Sequence, residues 1–125
     1  MSAISSVSST PDRTDYREVK APSEPGTTVY WPTGSFMVAL QSALKARGRY
    51  SGPDDGIGGP NTAKGIQLTA QAGGGYTGPI DGVFGPKTAR AIQTYARDHG
   101  GYTGPIDGDP RQNSWIGFLK GLAKR

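Results

Sequence analysis

YTGPIDGVFGPKTARAIQTYARDHG, Tyr76–Gly100, reads as one loop followed by one apolar-faced helix, and its opening recurs on both sides of it. Tyr50, Tyr76 and Tyr102 stand 26 residues apart and lead the strings YSGPDDG, YTGPIDG and YTGPIDG. The register continues into the flanks. Leu40, Ile66, Ile92 and Phe118 share one offset, Gln41, Gln67 and Gln93 a second, and Thr62, Thr88 and Ser114 a third. A fixed period without insertions marks a supersecondary unit that buries its apolar face against copies of itself. Four apolar segments joined by three loops follow from it.

Local signals place the helices. The stripe Phe36, Leu40, Leu44 follows Ser35, a residue suited to N-capping, and stops at Gly48, which supplies a left-handed terminus. This predicts a helix from Phe36 to Arg47. Pro60 and Pro86 suit the first position of helices that run to Ala72 and His99, because the N–H that proline lacks is unpaired there in any case. A fourth helix, from Asn113 or Ser114 to Ala123, presents Trp115, Phe118, Leu119 and Leu122. In the loops, Gly78 and Pro79 make a turn, Asp81 bonds the backbone two residues on, and Gly82 takes a positive φ. Ile80, Val83 and Phe84 are expected to plug the core. The expected fold is all-α: a small bundle of about four short helices joined by Gly/Pro-rich D-G loops over residues 35–125.

Residues 1–34 read as an extended or disordered arm. Pro11, Pro22, Pro25 and Pro32 interrupt any regular element, and the one apolar cluster is Val29, Tyr30 and Trp31. So little apolar surface does not offset the entropy of ordering the chain. Tyr16, Tyr30 and Trp31 are its candidate anchors for an assembly contact, with the alternative that Tyr30 and Trp31 cover the edge of the domain's own core. The arm carries three basic and four acidic residues, a net of −1; residues 35–125 carry eleven and six, a net of +5. A mildly basic repeat region favours anionic surfaces, although its cations are scattered as on any ordinary soluble domain.

The inventory of side chains argues against catalysis. Both glutamates, Glu18 and Glu24, lie in the arm, so a paired-carboxylate glycosidase would have to be built from aspartates alone. His99 is the single histidine, too few for a zinc hydrolase, and the absence of cysteine removes thiol nucleophiles and thiolate metal sites. Asp54, Asp55, Asp107 and Asp109 lack calcium-loop spacing and are assigned to turns. Neither a metal nor a cofactor is expected. The inter-helix loops, of about 12 to 14 residues, are too long for a helix-turn-helix, so no nucleic acid is expected. No secretory signal and no apolar run of membrane length stand out.

The same residues resemble the peptidoglycan-binding domain family. Its loop signature, G-Y-x-G-x-x-D-G-x-F-G-x-x-T, is matched at Tyr76–Thr88, and its opening L-Q-x-x-L-x-x-x-G-Y helix is similar to LQSALKARGRY, Leu40–Tyr50. The resemblance spans Ser35 to about Arg125. It implies a small helical bundle that attaches, without catalysis, to cell-wall glycopeptide. Asp54 and Gly58 depart from the pattern where Ile80 and Phe84 fit it, and the third loop reads DGDPRQNSW. One extra unit is present, so four helices are expected rather than three.

Tyr50, Tyr76 and Tyr102 are candidate platforms for sugar or peptide, or else pack on the preceding helix ends. Lys87, Arg90 and Arg97 are candidate partners of muropeptide carboxylates. The combined expectation is a bacteriophage virion protein, a capsid decoration protein ahead of a minor tail component. Its arm would bind a capsid or tail protein, and its domain would face peptidoglycan or another envelope glycan. The alternative is a free cell-wall-binding module that targets a separate wall hydrolase. Localisation is accordingly the virion or the bacterial cell wall.

Overall fold

The structure, a computed structural model, describes residues 16–123. Two short strands, β1 (Arg17–Lys20) and β2 (Tyr30–Thr33), precede four helices: α1 (Ser35–Ala46), α2 (Pro60–Ala72), α3 (Pro86–Gly100) and α4 (Gln112–Ala123). The helix positions follow the repeat. The fold is mainly helical but not all-α, because β1 and β2 pair antiparallel with Val19 opposite Trp31. A further parallel bridge joins Ser23 to Phe84.

Pro60 and Pro86 occupy the first turns of α2 and α3 after extended N-cap glycines. Ser35 does not cap α1; it is the helix's first residue, and Gly34, at φ 70°, precedes it. At the other end Gly48 turns left-handed, and the Gly48 and Arg49 N–H groups return to the carbonyls of Lys45 and Leu44. Ala63, Ala70, Ala89 and Ala96 are buried on α2 and α3, and the bulk of the core comes from Phe36, Leu40, Leu44, Trp115 and Phe118. The tightest contact lies between α3 and α4, where a Cβ on Gly100 would collide with the carbonyl of Gly117. Within the second loop Phe84 is buried as expected, Ile80 is half-buried, and Val83 faces solvent.

The N-terminal segment corrects the expected boundary at residue 34. Trp31 is 2% exposed and belongs to the main core with Ala21 and Val29. Gly58 holds the register of Phe84, and the Trp31 indole lies where a side chain at Gly58 would go. Trp31 also meets Phe84 edge-on, with ring centroids 5.6 Å apart. The first repeat unit thus lacks its own aromatic, and the chain ahead of α1 supplies one. The indole does not offset the ordering of this proline-rich stretch alone; burial of Ala21 and Val29, the β1–β2 pairing and the backbone bonds to Phe84 add to it.

Tyr16 and Tyr30 are likewise engaged within the domain. Tyr16 stacks edge-on against Phe36 at 5.4 Å, and burial together with the adjacent Glu18 carboxylate pushes its phenol pKa up. The Tyr30 carbonyl accepts the Trp115 indole N–H at 2.9 Å, and the Arg111 guanidinium lies 4.9 Å from the Tyr30 ring centroid. Arg111 also grips Glu18 with two nitrogens, at 2.8 and 3.0 Å, tying β1 to the loop before α4. The folded unit therefore includes residues 16–34. Of the expected arm, residues 1–15 lie outside the described residues.

Candidate functional site

Each loop is held by a glutamine from the helix before it. Gln41, Gln67 and Gln93 are fully buried on the inward faces of α1, α2 and α3. In the second loop the Gln67 Oε1 accepts the Gly82 N–H at 2.8 Å. Its Nε2 donates to the Asp81 carboxylate at 3.2 Å and to the Val83 carbonyl at 3.1 Å. These partners dictate the amide's orientation, since an N–H requires the oxygen and a carboxylate requires the nitrogen. Gln41 repeats the arrangement on Gly56, Asp55 and Ile57, and Gln93 on Gly108 and Asp107. The glycines so gripped, Gly56, Gly82 and Gly108, all have φ near +80°.

The aspartates close the turns. Asp81 accepts the Val83 N–H at 3.1 Å, and Asp107 accepts the Asp109 N–H at 3.0 Å. For Asp81 the Val83 N–H and then Gln67 hold the carboxyl below its usual pKa. For Asp107 the order is Gln93, then the Asp109 N–H. Carboxylates stabilised in this way are poor general acids near neutrality.

Tyr50, Tyr76 and Tyr102 brace the same loops from below. Their hydroxyls donate to the carbonyls of Pro53, Pro79 and Pro105 at 2.7, 2.5 and 2.9 Å. Each ring also lies under the glycine two residues on, where a Cβ would come within 2.6, 2.8 or 2.5 Å of the hydroxyl oxygen. This accounts for the Tyr-x-Gly-Pro spacing. At 8% and 5% exposure, Tyr50 and Tyr76 offer no open ring face to a ligand, whereas Tyr102 is half-buried.

What the loops do expose is a groove between the braced turn and the first turn of the next helix. One of about 420 Å³ lies at the second loop and one of about 690 Å³ at the third. They are the same groove one period apart. Tyr76, Gly78, Pro79, Asp81 and Thr88 in one are matched by Tyr102, Gly104, Pro105, Asp107 and Ser114 in the other. The remaining positions diverge: Lys87 gives way to Asn113, Arg90 to Ile116, and Gly85 to Arg111, which Glu18 already holds. In the second groove the Glu24 carboxylate lies against Gly85, within 2.7 Å of where a Cβ there would sit.

Of the residues singled out from sequence, Lys87 and Arg90 come together with Tyr76 at the second groove, and both are exposed. The Arg90 stem also lies beside Gly108, the turn glycine of the third loop. Tyr102 lines the third groove; Tyr50 and Arg97 line neither. Arg97 pairs with its neighbour Asp98 at 3.0 Å. The glutamine clamp was visible as a shared register, although nothing in the sequence assigned it a role. Its adjacency to the inward Leu40, Ile66 and Ile92 was the usable signal. Glu24 had no such signal.

Among the described residues no three histidine, aspartate or glutamate side chains are grouped as a metal site requires, and no helix is long and apolar enough to cross a membrane. Comparison of the chain with protein-family models, curated proteins and solved structures gives no match.

Proposed function

We propose that this chain is a non-catalytic peptidoglycan-binding-like module whose helical repeat presents grooves to a cell-wall glycopeptide. The observation that carries the reading is one groove built twice on the same braced loop, with Lys87 and Arg90 exposed at the second copy. Neither cation has an ion pair or hydrogen bond with a described residue, so both are available to a ligand carboxylate. Asp81 and Asp107 are committed to their turns, which supports binding rather than catalysis.

Co-sedimentation with purified sacculi at low salt tests this. Wild-type protein is expected to sediment with the wall, and the double variant Lys87→Glu, Arg90→Glu is expected to stay in the supernatant with an unchanged circular dichroism spectrum. A double variant that still binds removes the groove assignment. A wild type that does not bind removes the wall reading and leaves a structural role.

We read the module further as a component of a bacteriophage virion, a capsid decoration protein in its leading form. The support is composition: residues 1–15 are rich in Ser and Thr and share nothing with the repeat that follows. Since Tyr16, Tyr30 and Trp31 serve the fold, attachment to a capsid or tail protein falls to residues 1–15. Deleting those residues is expected to abolish incorporation into particles while preserving the thermal transition of the domain. Normal incorporation of the deleted form would favour the free module that targets a separate hydrolase.

A further inference from the structure

At the pole of the molecule where the helices end, a cavity of about 400 Å³ opens between the segment after α1, the end of α2, the last turns of α3 and Gly121 of α4. It shares no lining residue with either groove. We propose that this cavity is an oxyanion site that receives a phosphate group.

Its polar lining consists largely of donors. The Arg47 guanidinium has no hydrogen bond or ion pair with any described residue. Arg49 donates through Nη1 to the Thr69 hydroxyl at 3.1 Å, a neutral partner that positions the guanidinium without cancelling its charge. Thr69 is itself fully buried and held by the Gly65 carbonyl at 3.0 Å. Tyr95 is 7% exposed, yet its hydroxyl has no hydrogen bond with any described residue. A phenol that lines the cavity without a protein partner for its hydroxyl is available as a donor to a ligand there. Its ring is fixed from two sides, because a Cβ on Gly73 or Gly121 would come within 2.6 or 3.0 Å of it. His99 packs on the same ring, with centroids 4.5 Å apart.

Against an anion stand the C-terminal ends of α1, α2 and α3, whose partial negative charge the two guanidiniums must outweigh. Asp98, the one acidic side chain among the described residues of the lining, is paired with Arg97. The helix carbonyls nearest the cavity are occupied by backbone N–H groups: Leu44 and Lys45 by the turn after α1, and Thr69, Ala70 and Gln71 by Gly73, Gly75 and Gly74. Two guanidiniums from the segment after α1 and a phenol from α3 match a group with three or more acceptor oxygens better than a two-oxygen carboxylate. Arginine's fork suits phosphate in particular. The cavity also leaves room for whatever the phosphate is attached to. The site is independent of the wall-binding reading.

Titration of the full chain with inorganic phosphate, followed by NMR at constant ionic strength, tests the proposal. Saturable shifts confined to Arg47, Arg49, Gly73 and Tyr95 are expected, with acetate moving the same signals at least tenfold more weakly. Dimethyl phosphate separates the sources: if it binds too, the ligand is a phosphodiester, and if inorganic phosphate alone binds, it is a free or terminal phosphate; either upholds the site. Arg47→Gln is expected to weaken phosphate binding about tenfold, and Tyr95→Phe about threefold, both without lowering the melting temperature. Shifts spread over all surface cations, equal responses to acetate, or unchanged affinity in both variants would overturn the proposal.

Discussion

Replacing the three clamp glutamines by methionine, one at a time, separates the hydrogen bonds from the packing. Methionine has nearly the volume of glutamine, so the cavity cost is small. What Gln67→Met removes is the acceptor for the Gly82 N–H, a donor that is buried and has its bond at 2.8 Å. Leaving one buried donor unpaired costs on the order of 1–3 kcal/mol. The other contacts, to Val83, Asp81, Tyr76 and Thr88, are longer, at 3.1–3.5 Å, and the Tyr76 hydroxyl keeps its bond to the Pro79 carbonyl. Gln67→Met is therefore expected to cost about 2 kcal/mol. Gln41→Met should match it, since the Gly56 N–H is also buried. Gln93→Met should cost less than about 1 kcal/mol, because Gly108 is half-buried and water reaches its N–H. Urea unfolding followed by the fluorescence of the buried Trp31 and Trp115 reads the series. For a domain of this size, 2 kcal/mol moves the midpoint by roughly 1 M. The reasoning fails if Gln93→Met is as costly as Gln67→Met, or if Gln67→Met shifts the midpoint by less than a quarter of that amount.

Trp31→Ala is expected to cost about 3–5 kcal/mol, and deletion of residues 1–34 to abolish the cooperative melt; a truncated 35–125 chain melting like the full protein would contradict the assigned role of Trp31. Acid should destabilise the fold through Asp81 and Asp107. Their folded pKa values lie below the unfolded one, so their contribution is present above about pH 4 and lost as pH falls through the depressed values. Urea midpoints at pH 7, 4 and 2.5 should therefore decline, and the decline should be shallower in the Asp81→Asn, Asp107→Asn double variant; an identical slope in that variant would dismiss the two groups as its source. Gly100→Ala drives a methyl into the Gly117 carbonyl, whereas Gly101→Ala meets open space and bears only the strain of φ +80°. Thermal denaturation should rank Gly100→Ala well below Gly101→Ala, the latter costing about 1–2 kcal/mol.

α2 and α3 were the most legible because their boundaries are set by residues adjacent in sequence: proline at the first turn, glycine after the last, and an apolar stripe between. The D-G turns were legible for the same reason, as Asp81 and Gly82 act on backbone two residues away at most. The tyrosines stood at the limit. Their period was plain, but whether a ring lies under a glycine or faces solvent depends on how the loop folds back, and here Gly78 covers Tyr76.

What the sequence concealed is a vacancy. Gly58 was visible as a departure from the register of Phe84, and Trp31 as an aromatic in a stretch too polar to fold alone. Each looks like a local irregularity until the two are joined, because the pairing is neither periodic nor local. The missing side chain of one unit is met by a residue from outside the repeat. Composition treats residues 16–34 as unable to bury enough surface, and by themselves they cannot; the surface they bury belongs to a site the repeat left open. The degenerate first unit and the ordered N-terminal segment are thus one adaptation. Where the second unit has Phe84 and the third Pro110, the first has Gly58, and the same chain fills that space through Trp31 while Arg111 and Trp115 fasten the neighbouring residues at Glu18 and Tyr30. Through Phe84 the same indole reaches the second loop, whose groove Val83 and Gly85 line on either side of that residue.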